Sequence, residues 1–569
     1  MEPLDHIRAI DPRIDINNLR NKTYAIYSGG SQNTFKQFIS NTYDDSQISW
    51  VATPPSQSTY VSRKMYIQMQ FQLTLVGTSA GAGIPLVQAA GLPAAPGVNP
   101  GAFYYDAPRC APLASVFRTL AVQMNNDNIS TNLNSYSRIL QRFSRTKDEE
   151  DKELSMSPMM PDMSQNYNFL ANGFPLNPLA GYGDNTAQCP RGGFTQALIT
   201  RNDSTGLPGD TAIIMLTFTE PTWLNPWSFG RHHEEVSFIQ VQNINVQATL
   251  GGRGVGPLTG TASAIWSHAP QGSVLTQATA SVLGGTLFFN YISPDLTQRL
   301  PDQVTYSYFE PTLYPTGSSV PVAPGGVTTL VMNNVQLNAV PNRAFVFISE
   351  RDQDVNITST DTYFAVQKIN LTYNNQDGIF SNMTQYDLYQ MYLRNGGNMS
   401  FPQWSQYCGS VVCFSFGPDV PLDALSAPGL RTSQNFSLQI QVQNVSDRAI
   451  VPTLNVLVVQ EGVMYINGQS IMRSVGVLDA QDILNAKEEK AVSFQPPRTV
   501  FGSGILDDIG AFFRKLVRPA ISVAQTLAPP QFQPLVQGAS EVARSYGLGL
   551  GRRKGGALMG GNELKQIGY

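Results

Sequence analysis

The sequence predicts an all-β protein: two large sandwiches in tandem, joined by long loops and followed by an amphipathic C-terminal tail. Three observations predict it. The composition is turn-rich and charge-poor, with 48 Gly, 38 Pro, 10% aromatic and only 14% charged residues in 569, the opposite of the Ala/Glu/Lys/Leu usage of helix bundles. Strict period-two alternation marks long strands with one buried face, most plainly at Met65, Ile67, Met69, Phe71, Leu73 and Leu75 and again at Phe436, Leu438, Ile440 and Val442. Finally, one well-marked helix, residues 385–394, sits among strongly β segments. Thr384 can cap it, Asp387 suits its first turn, and Asn395-Gly396-Gly397 stops it.

Composition also excludes function classes. Lys and Arg total 37 against 41 Asp and Glu, a net charge of −4, so the whole chain offers nucleic acid no basic field. Four cysteines without a CxxC make neither a disulfide framework nor a zinc site and point to a reducing compartment. Cys413, in a strand-like run, reads as a small core residue. Asp5, Asp11, Arg13 and Asp15 interrupt the opening residues, and no run approaches the roughly 20 apolar residues of a membrane span. The expectation is a soluble protein made inside the cell, with no transmembrane segment. Asn-x-Ser/Thr triplets at Asn356, Asn370, Asn382, Asn398, Asn435 and Asn444 are what chance gives in so Asn-rich a chain.

In order, residues 1–48 read as a polar, irregular arm. The strand through Met65–Leu75 follows, then a Gly/Ala/Pro-rich loop over 80–100. A helix is expected over 133–145, with Tyr136, Ile139, Leu140 and Phe143 along one side. The charged run Lys147 to Glu153 reads as a solvated connection. Strands resume at 212–218, 236–250 and 285–292. In the second of these the apolar positions change from odd (Ile239, Val241) to even (Ile244, Val246, Ala248, Leu250), which predicts a bulge near Asn243. A second set covers 304–308, 328–337, 344–348, 364–373, 410–416, 436–445 and 453–459. These boundaries give a first domain over 49–299, a second over 300–472 and an extension over 473–569.

The extension contains an amphipathic stretch, 505–527. Ile505, Ile509, Phe512, Phe513, Leu516 and Val517 form one stripe, Asp507 and Asp508 open it, and Arg514, Lys515 and Arg518 close it, an order that suits the helix dipole. The stripe can pack on its own subunit, dock in a partner groove or touch a membrane. Packing or docking is preferred because the polar face is short and only modestly basic. Arg552-Arg553-Lys554 near the end neutralises few phosphates, so at most weak nucleic-acid contact is expected there and a solvated tail is preferred.

No residue pattern points to catalysis. His232-His233-Glu234-Glu235 lacks ligand spacing, since neighbours on a strand face opposite ways, and reads as ordinary loop histidines and carboxylates. Gly251-Gly-Arg-Gly-Val-Gly256 lacks the Lys-Ser/Thr of a phosphate loop and reads as a connection between strands. There is no GxSxG, no HExxH and no acid/base pair of carboxylates. No enzyme, cofactor or metal is expected.

The stretch 340–420 carries a resemblance. Ile379, the helix Leu388-Tyr-Gln-Met-Tyr-Leu-Arg-Asn-Gly396, Met399, Trp404 and the strand Gly409–Phe416 resemble, in order and spacing, the C-terminal half of double jelly-roll major capsid proteins. Those of Polinton/Maverick elements, adintoviruses and related small double-stranded DNA viruses are the nearest in pattern. The resemblance implies two jelly rolls per chain, a homotrimeric pseudo-hexagonal capsomer and an icosahedral virion shell. It also implies contacts with neighbouring capsomers and with penton and minor capsid proteins. A penton or minor capsid protein is the structural alternative. A carbohydrate-binding β-sandwich is the alternative of a different class. Leu558-Met559-Gly560-Gly561 is similar to the site cut by adenovirus-type maturation proteases, which implies cleavage after Gly561 by a viral protease.

Overall fold

The computed structural model describes residues 32–476, apart from 88–105, 145–196, 222–236, 269–272, 294–302 and short gaps at 57, 133, 135, 375, 423–425, 447 and 468–469. The first sandwich contains β1 (Gln32–Ile39), β2 (Thr42–Tyr43), β3 (Gln47–Ala52), β4 (Tyr60–Thr78), β5 (Asp106–Pro108), α1 (Pro112–Val116), β6 (Phe117–Met124) and β7 (Asp127–Thr131). It continues with α2 (Ser137–Ser144), β8 (Ala197–Asn202), β9 (Asp210–Pro221), β10 (Ile244–Leu250), α3 (Thr261–Ile265), β11 (Trp266–His268) and β12 (Val274–Ser293). The second contains β13 (Gln303–Gly317), β14 (Val327–Leu337), β15 (Arg343–Glu350), β16 (Ala365–Tyr373), β17 (Gln376–Ile379), α4 (Gln385–Arg394), β18 (Val411–Ser415), β19 (Gln434–Gln443), β20 (Pro452–Asn467) and β21 (Ser470–Val475).

Each sandwich is built on two antiparallel sheets, and in the first β5 and β11 pair separately as a two-stranded sheet. The first has β1-β12-β4-β9-β8 facing β2-β3-β10-β6-β7, and the second has β13-β20-β15-β18 facing β14-β19-β16-β17. When the principal strands of each sandwich are counted in chain order, both read 1-8-3-6 in one sheet and 2-7-4-5 in the other. That is the jelly-roll order, repeated. The repeat reaches single residues. Asn125 and Asn374 both sit at positive φ, 53° and 52°, in the turn between the fourth and fifth strands, a conformation that asparagine tolerates better than most residues. The Asn125 N–H donates to Asn243 O while its Oδ1 accepts from Gln242 N–H; the Asn374 N–H donates to Asn435 O while its Oδ1 accepts from Asn435 N–H. Each pins that turn to the chain entering the seventh strand.

Alternation explains the long strands. Met65 through Leu75 on odd positions of β4 are 0–1% exposed, while the residues between them are half-buried or exposed. Phe436, Leu438, Ile440 and Val442 of β19 are likewise buried. Helix α4 has the expected bounds, and Thr384 with Asp387 closes a reciprocal capping box.

Several elements differ from expectation. Residues 32–48, expected within an irregular arm, supply β1, β2 and the start of β3, and β1 pairs along its whole length with β12. Its Gln/Asn/Thr-rich sequence hid it, because the exposed Phe35 and Ile39 break the one-sided apolar pattern that marks a strand. The strand expected over 236–250 is β10 alone. Before it the chain turns through Gln240 at φ 62°, and Phe238 makes only an isolated bridge to Val61. The change of phase at Asn243 is therefore the start of a strand rather than a bulge within one. The helix expected over 133–145 is the shorter α2. Strand β12 begins eleven residues before the expected 285, through a stretch of Thr, Ser and Gln whose register shifts twice against β4.

Candidate functional site

The feature that distinguishes this molecule from two separate sandwiches is the seam between them. Strand β18 is buried throughout and β15 nearly so, which requires cover on both faces. Ala344, Val346, Ile348, Val412 and Phe414 point into the second sandwich's own core. Phe345, Phe347, Val411, Cys413, Leu457 and Val459 point the other way and merge with the core of the first sandwich. The first sandwich meets them with helix α2, whose Phe143 ring lies edge-on to Phe345 at 4.9 Å and to Tyr392 at 5.1 Å. On β13, the Tyr306 ring packs on Phe238 at 5.1 Å, and its hydroxyl donates to Ser237 O and accepts from Ile239 N–H. Arg473 of β21 donates to Asp127 of β7 and to the Tyr308 hydroxyl.

Polar groups at the seam are also paired. Asp361, in the connection before β16, receives Arg138 of α2, Arg109 at 3.4 Å and Arg253 at 3.0 Å. Arg109 is 1% exposed and donates further to the carbonyls of Ser263 and Asn356. Burial alone would raise the Asp361 carboxyl, but Arg138, Arg109 and Arg253 outweigh it and hold it well below the usual range. Arg142 donates to Gly409 O and lies over the Tyr363 ring. Close backbone approach completes the joint: a Cβ on Gly254 would lie 1.9 Å from Val355 O. The glycine-rich loop 251–256 thus connects β10 to α3 by wedging against the second sandwich. A cleft of about 430 Å³ at this seam is lined by Tyr136, Arg138, Glu350, Asp361, Tyr363 and Asn455 among others.

One constellation has the order of a catalytic relay. His268 Nδ1 lies 2.6 Å from Asp106 Oδ1, and its Nε2 lies 3.3 Å from Ser273 Oγ. All three residues are 1–3% exposed, so no substrate carbonyl reaches Ser273 Oγ. Burial works against the imidazolium, but Asp106 outweighs it and raises the His268 pKa. The His268 backbone N–H donates to Ile357 O at 2.9 Å, so this group also ties the seam. Cys110, Cys408 and Cys413 are buried thiols outside any disulfide, and burial pushes Cys413 up to about 12, leaving it unreactive.

The residues singled out in the sequence divide accordingly. Tyr136, Ile139, Leu140 and Phe143 come together at the seam, as do Arg253 and Cys413. Trp404 is fully buried under α4 and donates Nε1–H to Val411 O at 3.0 Å. His232–Glu235, the stripe Ile505, Ile509, Phe512, Phe513, Leu516 and Val517, and the tetrapeptide Leu558–Gly561 lie outside the described residues. Among the described residues there is no group of three His, Cys, Asp or Glu arranged to hold a metal, and no helix long and apolar enough to cross a membrane. The Asp361 knot was invisible in the sequence because its four members come from four distant segments.

Comparison with known proteins follows the same division. Residues 5–254 match the family model of the Sputnik virophage major capsid protein first domain, and residues 312–462 match that of the major capsid protein V20 C-terminal domain. The chain is 26% identical to the putative capsid protein V20 of Sputnik virophage, over 99% of this chain and 97% of that protein. Its structure is similar to a chain in the 3.5 Å cryo-EM structure of the Sputnik virophage, with a TM-score of 0.72 and 25% identity over 86% of this chain and 97% of that one. The mavirus major capsid protein shares the fold, with a TM-score of 0.60 and 12% identity over 86% of this chain and 97% of that chain.

Proposed function

The chain belongs to the double jelly-roll major capsid proteins of small double-stranded DNA viruses, and we propose that three copies of it close into a pseudo-hexagonal capsomer that tiles an icosahedral shell. As a major capsid protein it is a component of the virion. The observation that carries the capsomer reading is the repeat: two jelly rolls of identical strand order fixed side by side through a continuous apolar seam. Three such chains present six similar walls, which is what lets a single protein occupy a hexagonal lattice. Function then resides in interfaces, and the chain works without catalysis or cofactor. Neighbouring capsomers, penton and minor capsid proteins are the partners this reading names. The stripe Ile505–Val517 would dock on one of them, and a maturation protease would cut after Gly561.

The test is the mass and outline of the purified protein. A particle of three times 62.1 kDa with a hexagonal silhouette is expected; a pentamer or a stable monomer would refute the capsomer. Chain mass from assembled shells reads the tail in the same experiment, and an intact Tyr569 would refute cleavage.

A further inference from the structure

The sheet β13-β20-β15-β18 contains a gap, and one side chain sits in it. Strand β20 is paired with β15 up to Val459, the partner of Arg343, and with β21 from Gly462, the partner of Val475. Gln460 and Glu461 have β13 on one side, through Glu310 and Phe309, and on the other neither β15 nor β21. The two strands thus meet end to end across these residues. β15 meets the gap where the chain enters it, and β21 where the chain leaves for residues 477–569.

Glu461 holds both ends. Its Oε1 accepts from the Asn342 side-chain amide, one residue before β15, and its backbone carbonyl accepts from the Gly476 N–H, one residue after β21. Gly476 has φ 64°, and a Cβ there would lie 2.8 Å from the Ala339 Cβ, so the departing chain is pressed against the turn that feeds β15. Opposite residues of an antiparallel pair share a face, which names the groups beside Glu461. On β13 it is Phe309, 2% exposed, and on β21 Ser474 and Gly476. On β15 it is Arg343, with Ser415 and Cys413 of β18 beyond it. The turn 339–342 brings Asn342 and no charge. Burial pushes the Glu461 carboxyl up to about 7 against Asn342 and Arg343, which favour its ionised form.

We propose that Glu461 is a pH-operated latch at the root of the C-terminal extension. Neutral, it keeps the gap closed and Gly476 held to β20. Once its proton is lost to solvent, the carboxylate draws water into the gap and the end of β21 separates from β20; regaining the proton closes it. Of the two ends, β21 is the one that yields. β15 lies between β20 and β18 with both faces covered, whereas β21 is six residues paired with β20. The start of β21 is tied to the first sandwich, where Ile471 N–H donates to Asn126 Oδ1 and Arg473 to Asp127, so the opening is confined to residues 474–476. The latch concerns how the chain leaves its second sandwich and is independent of how copies assemble.

Hydrogen exchange of the full-length protein at pH 6 and pH 8 tests it, with each rate divided by the intrinsic rate at the same pH. A carboxyl at about 7 in the closed state and 4.5 in the open one raises the opening equilibrium by about tenfold over that interval. The wild type is therefore expected to lose about tenfold protection at residues 474–476, while β8, an edge strand of the other sandwich, keeps its own. Glu461→Gln, neutral at both pH values and still able to accept from Asn342, is expected to show equal protection at both. Unchanged protection of 474–476 in the wild type overturns the latch. So does the same loss in Glu461→Gln, or an equal loss at β8, which would place the effect on the whole fold.

Discussion

Replacing Asp361 by Asn tests whether the seam is held by charge as well as by apolar packing. Asparagine keeps the shape of the side chain, so the change removes charge without opening a cavity. Three guanidiniums then lose their carboxylate, but unequally. Arg253, 21% exposed, retains Asp352 at 3.5 Å, and Arg109 retains the carbonyls of Ser263 and Asn356. Arg138, 13% exposed, keeps only the Ser115 hydroxyl among its described partners. Removing one partner of a buried pair costs about 3–5 kcal/mol. At about 2 °C per kcal/mol, the scale for large cooperative units, the melting temperature should fall by about 6–10 °C. The assay is calorimetry of the purified protein with Asp361→Asn, Arg138→Gln and the double variant. The double variant should be less destabilised than the sum of the singles, because the second change removes a charge the first left stranded. The sign with pH follows from the depressed Asp361 pKa. The carboxylate's contribution is fully present above the unfolded value of 3.8 and is lost as pH falls through the lower folded value. A single variant within about 0.5 kcal/mol of wild type, or strict additivity, would refute the argument, since neither fits a buried, coupled pair.

Two further outcomes are expected. Trp404→Phe removes the donor to Val411 O and part of a fully buried ring, so equilibrium denaturation should show a loss of about 2–4 kcal/mol; a loss below about 1 kcal/mol would mean that the indole N–H contributes nothing to holding β18. Glu461, half-buried beside Asn342, has its carboxyl pushed up to about 7, chiefly by burial. Its protonated form is favoured in the fold, so the associated stability is full below the unfolded value of 4.5 and is lost as pH rises through about 7. Glu461→Gln should flatten the melting temperature across that window and exceed the wild type at pH 8, whereas an unchanged pH profile would refute the assignment.

What the sequence disclosed follows from which faces are covered. β4 and β19 have one face in a core and one in water, so their alternation could be read directly. α4 could be read because its cap and stop are local chemistry. β1 could not, because its outward Phe35 and Ile39 and its polar neighbours break any one-sided pattern. The short β7, β8, β17 and β21 carry too few residues for a period to emerge. The seam left one trace, the unbroken run Ala344-Phe-Val-Phe-Ile348, in which apolar residues occupy both parities because both faces are buried. Arg109, Arg138, Arg253 and Asp361 left none, since only the folded chain brings them together.

The contrast between β15 and β4 also separates two kinds of sheet face. They are equivalent strands of equivalent sheets, yet β15 turns Phe345 and Phe347 outward where β4 turns Gln68, Gln70 and Gln72. A face of phenylalanines cannot stay exposed, so the seam within the chain forms as the chain folds and is permanent, like a core cut through its middle. A face of glutamine and threonine with an apolar margin can wait in water and still be covered without stranding a charge. The same architecture, repeated once, therefore carries one sheet face that must be covered as the chain folds and one that tolerates water, and it is composition, not topology, that distinguishes them.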